Sequence, residues 1–474
     1  MYRSHTCGQL TKDDIGKEVT LSGWVASRRD HGKLVFIDLR DRYGLTQVVF
    51  IPKESGEAYT KAQELRSEFV VTIKGMVNPR PKGTVNPKLP TGEVEVLAKE
   101  MEVLNPSLTP PFEIREELDV TEEMRMKYRY LDLRRRNVFE NFQLRSRMYK
   151  IIRAFLAARD FIEVETPILT KSTPEGARDY LVPSRLNPGE FYALPQSPQL
   201  FKQILMVAGI ERYYQIAKCF RDEDLRADRQ PEFTQLDVEM SFITEEDIYA
   251  LIEGIMKDIF KELKGIDLKI PFRRMSHKEA MEKYGCDKPD LRNKSTPPSS
   301  ESGGCSAGAE EYAFTWVTEF PMFKWNDEEK RWESEHHPFT APCPEDIGKL
   351  ETDQAHIRSR AYDLVLNGTE LGSGSIRIHR QDLQERIFKI IGINEEEARR
   401  RFGFLLEAFQ YGAPPHGGFA FGVDRLLAIL AGQSSIREMI AFPKTAKAFD
   451  PLTSAPSEVD ARQLNELSIA IKKK

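Results

Sequence analysis

The clearest alternation of apolar and polar positions lies between residues 232 and 242. Strand side chains point in turn to opposite faces, so every second residue shares a surface. One face is apolar and carries Thr234, Leu236, Val238, Met240 and Phe242. The other face carries Phe233, Gln235, Asp237, Glu239 and Ser241. The pattern predicts a strand that packs with one face and binds or reacts with the other.

The segment before this strand predicts a partner strand and a charged loop. Arg221 falls on the opposite side from Tyr214, Ile216 and Phe220, and the loop offers Glu223, Arg226, Arg229 and Gln230. A charged hairpin is more often a solvated surface with weak salt bridges. Here an aromatic ring, Phe233, stands on the polar face, which favours a stacked base beside guanidinium groups that bind phosphate.

Residues 1–105 predict five short strands with one helical stretch near Glu57 to Arg66, which is typical of an OB-type barrel. In the second strand Val35, Ile37 and Leu39 would point inward and Phe36 outward. Phe36 alone could cap the barrel or meet another domain. With Gln47 on the third strand and Arg29 nearby, it indicates a surface for single-stranded bases.

The rest of the chain predicts an α+β domain. A Pro-containing stretch from Asn105 to Ile114 reads as a linker, and Val138 to Arg159 has helical spacing of apolar residues. Strands separated by tight polar turns predict an antiparallel sheet with helices packed on it. We therefore expect domains at 1–105 and 136–474 joined by a hinge at 106–135. The dinucleotide-binding pattern GxGxxG and the P-loop pattern are absent from the sequence.

Composition and charge narrow the class of protein. The chain has 474 residues and a formal net charge of −5, yet ten Lys or Arg lie between Arg125 and Arg153 against Asp132 and Glu140. That run predicts either a phosphate-binding stripe or a solvated helix face. The five cysteines form no zinc-type spacing, and no apolar run reaches ~18 residues. We expect a soluble, cytoplasmic protein.

Three motifs now carry a resemblance. Phe220 to Glu223 with the following strand is similar to motif 2 of the class II aminoacyl-tRNA synthetases, and GGFAFGVDRL at Gly417 to Leu426 resembles motif 3. Motif 1 would be the helix from Val138 with the strand FIEVETPIL, which contains Pro167. The stretches QSPQLFKQ, HHPFTAP and ELGSGSIRIH resemble the bacterial-type aspartyl-tRNA synthetases.

The resemblance implies an N-terminal OB-fold barrel and a class II antiparallel sheet flanked by helices. It implies ATP and L-aspartate as substrates, Mg²⁺ as cofactor, and tRNA(Asp) as partner, with tRNA(Asn) added in the relaxed form of the family. His31 and Gly83 resemble that relaxed form. A homodimer is expected through motif 1. The chain departs from the pattern at 293–311, where a Ser-rich and Gly-rich tether replaces a large inserted domain.

The resemblance also implies a role for individual residues. Catalysis falls to Arg221 at the α-phosphate, Glu223 at the adenine and Arg425 at the γ-phosphate. The implied ATP-binding residues are Arg221, Asp222, Glu223, Gln230, Phe233, Glu370, Gly422, Val423, Asp424 and Arg425. The implied aspartate-binding residues are Glu175, Gln199, Lys202, Arg221, Gln235, Asp237, His336 and Arg377. The implied metal ligands are Asp363 and Glu370, and the implied anticodon-binding residues are Arg29, His31, Phe36 and Gln47.

Physical reasoning adds three expectations. A pocket that prefers a carboxylate over an amide needs buried cations, which Lys202 and Arg377 would supply. Strict alternation puts Glu370 and Arg377 on opposite faces, so the Gly372 to Gly374 stretch should bend or bulge. Gly417, Gly418 and Gly422 should let a ligand approach the backbone before a helix that begins near Val423.

Three other functions stay open at this point. A synthetase for asparagine is opposed by Lys202 with Arg377, whereas one for lysine stays open. A tRNA-binding paralogue without catalysis is opposed by the retention of phosphate-binding and metal-binding groups together, namely Arg221, Glu223, Glu370 and Arg425. An amidating ligase of the same catalytic fold should lack the barrel that carries Phe36.

Overall fold

The computed structural model describes residues 2–173, 177–292 and 312–472. Contacts divide the chain into two compact units, one up to Phe139 and the other from Glu140 onward. No helix in these described ranges is long and apolar enough to cross a membrane.

The first unit is built on a closed five-stranded barrel with strand order β1-β2-β3-β5-β4. Its strands are β1 (Glu18–His31), β2 (Leu34–Arg40), β3 (Leu45–Phe50), β4 (Val70–Pro79) and β5 (Val94–Asn105). Its helices are α1 (Pro52–Ala62), α2 (Glu122–Lys127) and α3 (Arg129–Asp132). The predicted OB-type barrel, with a helix between its third and fourth strands, is confirmed. The helix begins earlier than expected because Pro52 occupies its first turn.

Inward and outward positions on the barrel follow the alternation. Val35, Ile37 and Leu39 are buried in one apolar core, while Phe36 between them is half-buried. The core position of every second residue therefore fixes which side chains reach the outer face.

The basic run that begins at Arg125 is largely internal in this unit. Arg125 and Arg135 lie 3.2 and 2.8 Å from the buried Asp132 carboxylate, and Arg129 pairs with the same group. Arg134 lies 2.6 Å from Glu68. These arginines hold the unit together, so this part of the run is not a free phosphate-binding stripe.

The second unit contains an eight-stranded sheet with helices against it. Its helices are α4 (Arg136–Ala157), α5 (Gln199–Val207), α6 (Glu245–Lys264), α7 (His277–Tyr284), α8 (Gln381–Ile390), α9 (Glu395–Phe409), α10 (Val423–Leu430) and α11 (Ala461–Glu466). Its strands are β6 (Ile162–Glu163), β7 (Leu181–Pro183), β8 (Phe191–Ala193), β9 (Arg212–Phe220), β10 (Glu232–Ser241), β11 (Arg273–Ser276), β12 (Phe314–Thr318), β13 (Phe323–Asn326), β14 (Arg331–Ser334), β15 (Ala361–Leu366), β16 (Thr369–Ile376) and β17 (His416–Gly422).

The strand order is β11-β12-β15-β16-β17-β10-β9-β6, and β7–β8 and β13–β14 form separate hairpins. Neighbours from β12 to β9 are antiparallel, as the tight polar turns predicted. Both edge pairs, β11 with β12 and β6 with β9, are parallel. A helix lies between the two strands of each edge pair, which parallel pairing requires.

One apolar cluster fixes the orientation of β10. Leu236, Val238 and Met240 pack in it with Ile252 and Ile255 of α6. Helix α6 is delimited by a capping box at Thr244 and Asp247 and by Gly265 in the left-handed conformation. With its apolar face committed to α6, β10 turns its polar face to the other side of the sheet.

Candidate active site

A cavity of about 780 Å³ opens over the polar face of the sheet in the second unit. It is walled by β10, β16, β17, the start of α5 and α10, and the β13–β14 hairpin. The predicted site residues in its wall are Gln199, Lys202, Arg221, Glu223, Gln230, Phe233, Gln235, Asp237, His336, Glu370, Arg377, Gly422, Asp424 and Arg425. This volume is sufficient for a nucleotide and a small amino acid together.

Three described residues predicted for this site are not part of that wall. Asp222 pairs with Arg178 at 3.3 Å on the surface. Val423 belongs to the apolar core. Asp363 is buried on β15 and is considered below. Glu175, like the 293–311 tether, lies outside the described residues.

The floor of the cavity holds four charged side chains that are almost completely buried. Lys202 Nζ lies 3.0 Å from Asp237 Oδ1 and 3.4 Å from Glu239 Oε2. Arg377 donates from Nε and Nη2 to the two oxygens of Glu239, at 2.9 and 3.2 Å. The side chains of all four residues are at most 2 % exposed. Two cations therefore balance two anions, which makes their burial tolerable.

Helix and strand spacing place these charges together. Gln199 and Lys202 are three residues apart on α5 and so share one helix face. Asp237 and Glu239 are two apart on β10 and share its polar face. The alternation of side chains places Glu239 on that face but predicts no role for it. Nothing local in the sequence shows that Glu239 anchors Arg377, which is 138 residues away.

Each buried cation keeps one N–H for a ligand. Arg377 Nη1 donates to His337 Nε2 at 2.7 Å and to Ser375 Oγ at 2.6 Å. With its two bonds to Glu239, Arg377 uses four of its five N–H groups. Lys202 donates to Asp237 at 3.0 Å and has the Glu239 carboxylate at 3.4 Å, so these two acceptors leave at least one of its three N–H groups. The described part of the chain thus leaves at least one donor on each cation, and both cations line the cavity.

The two neighbouring histidines of the cavity wall both have lowered pKa values. Burial and the nearby Arg377 charge lower the pKa of His337 well below its usual value. An arginine can only donate, so His337 accepts at Nε2. Burial also lowers the pKa of His336. His336 Nδ1 has no partner among the described residues.

The pKa values of the two buried carboxylates, Glu239 and Asp237, shift in opposite directions. Burial opposes ionisation of Glu239, but the charges of Arg377 and Lys202 prevail and lower its pKa. Burial raises the pKa of Asp237 despite Lys202. One oxygen of Asp237, Oδ2, is buried without a hydrogen-bond partner in the described chain, as is Gln199 Nε2. Such groups are what a bound ligand would satisfy.

The opposite end of the cavity combines an aromatic ring with arginines. The Arg221 guanidinium lies 5.1 Å from the centre of the Phe233 ring. Arg229 lies 3.2 Å from Glu223. Arg425, in the first turn of α10, donates to the Glu370 carbonyl oxygen at 2.6 Å, and its Nε has no partner in the described chain. This end offers a stacking surface beside several phosphate-binding cations.

Two predicted nucleotide contacts are occupied by protein groups. The Gln230 side chain donates to the Lys444 carbonyl at 3.0 Å and accepts from its N–H at 2.8 Å. Asp424 accepts from the Thr234 N–H at 2.8 Å and binds Arg145 of α4 through its other oxygen. Both side chains therefore brace the wall of the cavity.

Asp363 and Glu370, the predicted metal ligands, lie on the neighbouring strands β15 and β16. Burial and the charge of Glu370 raise the pKa of Asp363 well above its usual value. For Glu370 burial acts in the same direction, but the hydrogen bond and charge of Lys288 lower its pKa. Asp363 Oδ1 is buried without a partner in the described chain. Hard carboxylate oxygens of this kind fit Mg²⁺, which takes few protein ligands when it bridges phosphates.

A bulge in β16 places Glu370, near the start of the strand, and Arg377, directly after its end, on the same side of the sheet. Pairing with β15 shifts between Leu364 and Val365, so Leu371 has no partner of its own. The expected irregularity thus occurs one residue before the glycine stretch. Because the extra residue reverses the alternation, Glu370 and Arg377 both face the cavity.

The glycines of β17 have a different cause from the one expected. Gly418 pairs with Glu239, and a methyl group there would overlap the Glu239 carboxylate. A methyl group at Gly417 would meet the Ile376 side chain at 2.7 Å. Close protein contacts require these two glycines, whereas Gly422 lines the cavity. The helix after them does begin at Val423, as predicted.

The first unit carries the second candidate site on its outer barrel face. Arg29 pairs across strands with Phe36, and Gln47 pairs with Asp38, so these side chains share one surface. Gln47 Nε2 also donates to Glu95 at 2.7 Å. Sequence analysis missed Glu95, which lies on β5, because alternation in β3 does not show which strand lies beside it. His31 is exposed at the end of β1.

Two family models match the chain. One describes class II tRNA synthetases (D, K and N) and covers residues 121–446. The other describes an OB-fold nucleic acid binding domain and covers residues 19–104.

Relatives match over the whole chain. An aspartate–tRNA(Asp/Asn) ligase of Syntrophomonas wolfei is 47% identical, covering 100% of this chain and 100% of that protein. A ligase of the same name from Moorella thermoacetica is 48% identical over 99% and 97%. The first alignment spans 586 positions although the chain has 474 residues. The relative therefore has more than a hundred positions that this chain lacks, in agreement with the expected loss of an insert.

Solved structures confirm the fold. Asparaginyl-tRNA synthetase from Pyrococcus horikoshii, complexed with asparaginyl-adenylate, superposes with a TM-score of 0.74 at 23% identity, covering 94% of this chain and 99% of that one. Aspartyl tRNA synthetase from Entamoeba histolytica gives a TM-score of 0.73 at 21% identity, covering 94% and 92%.

We expect Gly418→Ala to lower the free energy of unfolding by about 1–3 kcal/mol, because the new methyl group must displace the buried Glu239 carboxylate. Urea denaturation of the full chain measures this. Gly403→Ala in α9 is the matched control, since a methyl group there has open space and alanine favours a helix. Equal stability of the two variants would contradict the packing reason for Gly418.

Proposed function

The chain belongs to the class II tRNA synthetases of the aspartate, lysine and asparagine group, and from this we infer that it is an aspartate–tRNA ligase. It joins L-aspartate to ATP as aspartyl-adenylate and transfers the aspartyl group to the 3′ end of tRNA. The observation that carries the choice of amino acid is the buried pair Lys202 and Arg377, each with one N–H left for a ligand.

Those two N–H groups select a carboxylate. A carboxylate offers acceptors only, whereas the amide of asparagine presents an NH₂ group that cannot accept from them. A buried donor left unpaired is costly, so the amide is rejected more strongly than its similar shape suggests. Lysine would place a third cation next to Lys202 and Arg377. Neither alternative amino acid fits this floor.

We assign the substrate ammonium to the anionic side of the same floor. Asp237 Oδ2 has no partner in the described chain, and Gln235 lines the cavity two positions earlier on the same face of β10. His336, which also lines the cavity, would close over the substrate. Glu175 remains a prediction of the resemblance.

The activation step needs alignment and charge stabilisation. The substrate α-carboxylate attacks the α-phosphorus, and pyrophosphate leaves, without a covalent bond to the enzyme. We propose that Arg221 binds the α-phosphate and the attacking carboxylate, and that Phe233 and Glu223 hold the adenine. Arg425 takes the γ-phosphate, close to the N-terminus of α10, where phosphate is also favoured.

We propose that Asp363 and Glu370 hold the Mg²⁺ that accompanies ATP. When bound, the ion neutralises charge on the phosphate oxygens. The open Asp363 Oδ1 and the position of Glu370 on the cavity wall support this assignment. In the transfer step the ribose 3′-hydroxyl of tRNA attacks the aspartyl carbonyl carbon of the adenylate, the bond from that carbon to the phosphate oxygen breaks, and AMP leaves. We assign the hydroxyl proton to a phosphate oxygen of the departing AMP.

The cavity and the barrel together disfavour the two other function classes. A tRNA-binding protein without catalysis has no physical reason to keep four balanced buried charges beneath an open cavity. An amidating ligase has no use for the barrel, which matches the nucleic-acid-binding family.

We expect Arg425→Ala to reduce aspartate-dependent exchange between ATP and pyrophosphate by about 100-fold or more, because one donor to the leaving phosphates is lost. Exchange would be run with each of the twenty amino acids, and only aspartate should support it. Arg380→Ala removes an exposed arginine that pairs with Asp382 outside the cavity and should leave exchange unchanged. Exchange driven best by another amino acid would overturn the assignment.

We propose that the outer barrel face reads the tRNA anticodon. Phe36 offers a stacking ring, while Arg29 and Gln47 offer donors on the same surface. His31 and Gly83 resemble the form of the family that serves two tRNAs, and the relatives reported above are named for both. We therefore propose that the chain charges tRNA(Asp) and tRNA(Asn).

Charging of each purified tRNA with labelled aspartate tests this, and we expect both to be charged. Phe36→Ala should lower kcat/KM for each tRNA by about tenfold or more, because a stacked base is lost, with aspartate-dependent exchange unchanged. Charging of tRNA(Asp) alone would contradict the proposal that the chain serves both tRNAs. An unaltered kcat/KM in the Phe36 variant would reject the barrel assignment.

We propose that the protein is a homodimer through the motif 1 region. Ile168, Leu169, Leu181 and Phe191 are about half exposed. Pairing of Thr170 with Ala193 brings the first two next to the β7–β8 hairpin. An exposed apolar surface of this kind is typical of a subunit contact. The predicted long strand before Pro167 is reduced to Ile162–Glu163 at the edge of the sheet.

Sedimentation velocity at micromolar concentration should show a dimer. The double change Leu169→Glu with Leu181→Glu should shift it to monomer, because two charges would be buried in the contact. Leu108→Glu, at a residue that is 91% exposed in the first unit, is the control and should remain dimeric. A monomeric unmodified protein would contradict the proposal.

A further inference from the structure

Lys288 is a charged cavity residue that neither the motifs nor the alternation of side chains indicated. Its Nζ lies 2.8 Å from Glu370 Oε2, and it lines the same wall as Glu370 and Arg425. The two residues are 82 positions apart, so no local pattern links them. The question is what a lysine does beside the carboxylates that we assign to Mg²⁺.

The backbone around Lys288 is held in place by packing. Helix α7 ends at Gly285 in the left-handed conformation, and Leu291 packs against the cluster that contains Val317 and Val365. Asp290 contacts the turn between β15 and β16 so closely that a methyl group on Gly368 would lie 3.3 Å from its Cβ. The segment is therefore anchored to the strands that carry Asp363 and Glu370.

The charge around Lys288 is one-sided. The carboxylates of Asp287, Asp363 and Glu370 all attract the Lys288 ammonium. The positive charge of Lys288 in turn opposes the rise in the pKa of Asp363. Glu370 is bound by the ammonium, while Asp363 Oδ1 is buried without a partner in the described chain. A carboxylate pair with one bound cation and one open oxygen resembles a metal site in which an ammonium stands at the cation position.

We propose that Lys288 is a positioning residue that serves as the resident cation of the Asp363–Glu370 pair in the nucleotide-free enzyme and yields that place to the divalent ion entering with ATP. The inference rests on the metal site in the proposed function. Lysine suits this role because it is a compact charge on a flexible stem. The Lys288 side chain is 42 % exposed, so it can leave Glu370 without movement of the backbone.

Two consequences separate this role from that of an ordinary surface ion pair. Before ATP binds, the ammonium competes with a divalent ion, so metal affinity is low. It also keeps Glu370 fixed where the nucleotide-bound ion will need it. An ordinary surface pair would influence neither property, because its charges are screened and far from the metal ligands.

The test is the binding of Mn²⁺ to the full chain without nucleotide or aspartate, measured from the electron paramagnetic resonance signal of free Mn²⁺. We expect Lys288→Met to bind Mn²⁺ at least about fivefold more tightly than the unmodified protein, because a positive charge close to the ion is removed. Lys288→Arg should retain the weak affinity. Lys288→Gln is a second neutral variant and should match Lys288→Met.

Lys283→Met is the matched control. Lys283 lies 2.7 Å from Glu279 on α7, in an exposed pair, and its loss should leave Mn²⁺ affinity unchanged. The half-saturating Mg²⁺ concentration for pyrophosphate exchange should fall in Lys288→Met and Lys288→Gln but not in Lys288→Arg or Lys283→Met. Unchanged or weaker Mn²⁺ binding in both neutral Lys288 variants would overturn the proposal. Since Mn²⁺ binding needs no substrate, this result is separate from the Arg425→Ala test of the reaction.

Discussion

The second unit depends on one constraint: four charges buried at the floor of the cavity must remain paired. Lys202 comes from α5, Asp237 and Glu239 from β10, and Arg377 from the position directly after β16, and removal of any one would leave an uncompensated charge in the interior. The constraint extends outward from there. Gly418 has no side chain because Glu239 occupies that space, and His337 stays neutral because it accepts from Arg377.

In the proposed function the same floor both binds the amino acid and selects it. Because Asp237, Glu239, His337 and Ser375 accept from most N–H groups of Lys202 and Arg377, only a few directions remain for a ligand. Each of those directions demands an acceptor. The site is thus preorganised before the substrate arrives, and little reorganisation is needed on binding. Farther along the cavity the chemistry changes to an aromatic ring and arginines, which suits a nucleotide.

Much of this arrangement was predictable from the sequence. The alternation in β10 predicted its polar and apolar faces, and the barrel strands were located within a few residues. Long-range partners were not predictable. Motif 3 predicted Asp424 as a nucleotide contact, but its carboxylate binds the Thr234 N–H and Arg145. Lys288 reaches Glu370 only because the segment around it packs on β15. The parallel edge pairs were missed because turn signals report only hairpins. The sequence did not show that the arginines after Arg125 pair within the protein, because their shared counter-charge, Asp132, is a single residue.

The bulge at Leu371 has a consequence for how this chain can vary. In the proposed function Glu370 and Arg377 serve different parts of the reaction, yet one stretch of chain carries both, and a single unpaired residue decides that both face the cavity. Seven positions separate them, so pairing of this stretch without the bulge would send one of the two into the opposite layer. Removal of the extra residue would instead leave six positions, and regular alternation would keep both on one side. The register of the strand and the count of residues in this stretch are therefore constrained together: a residue can be lost only with the bulge, and the bulge only with a residue.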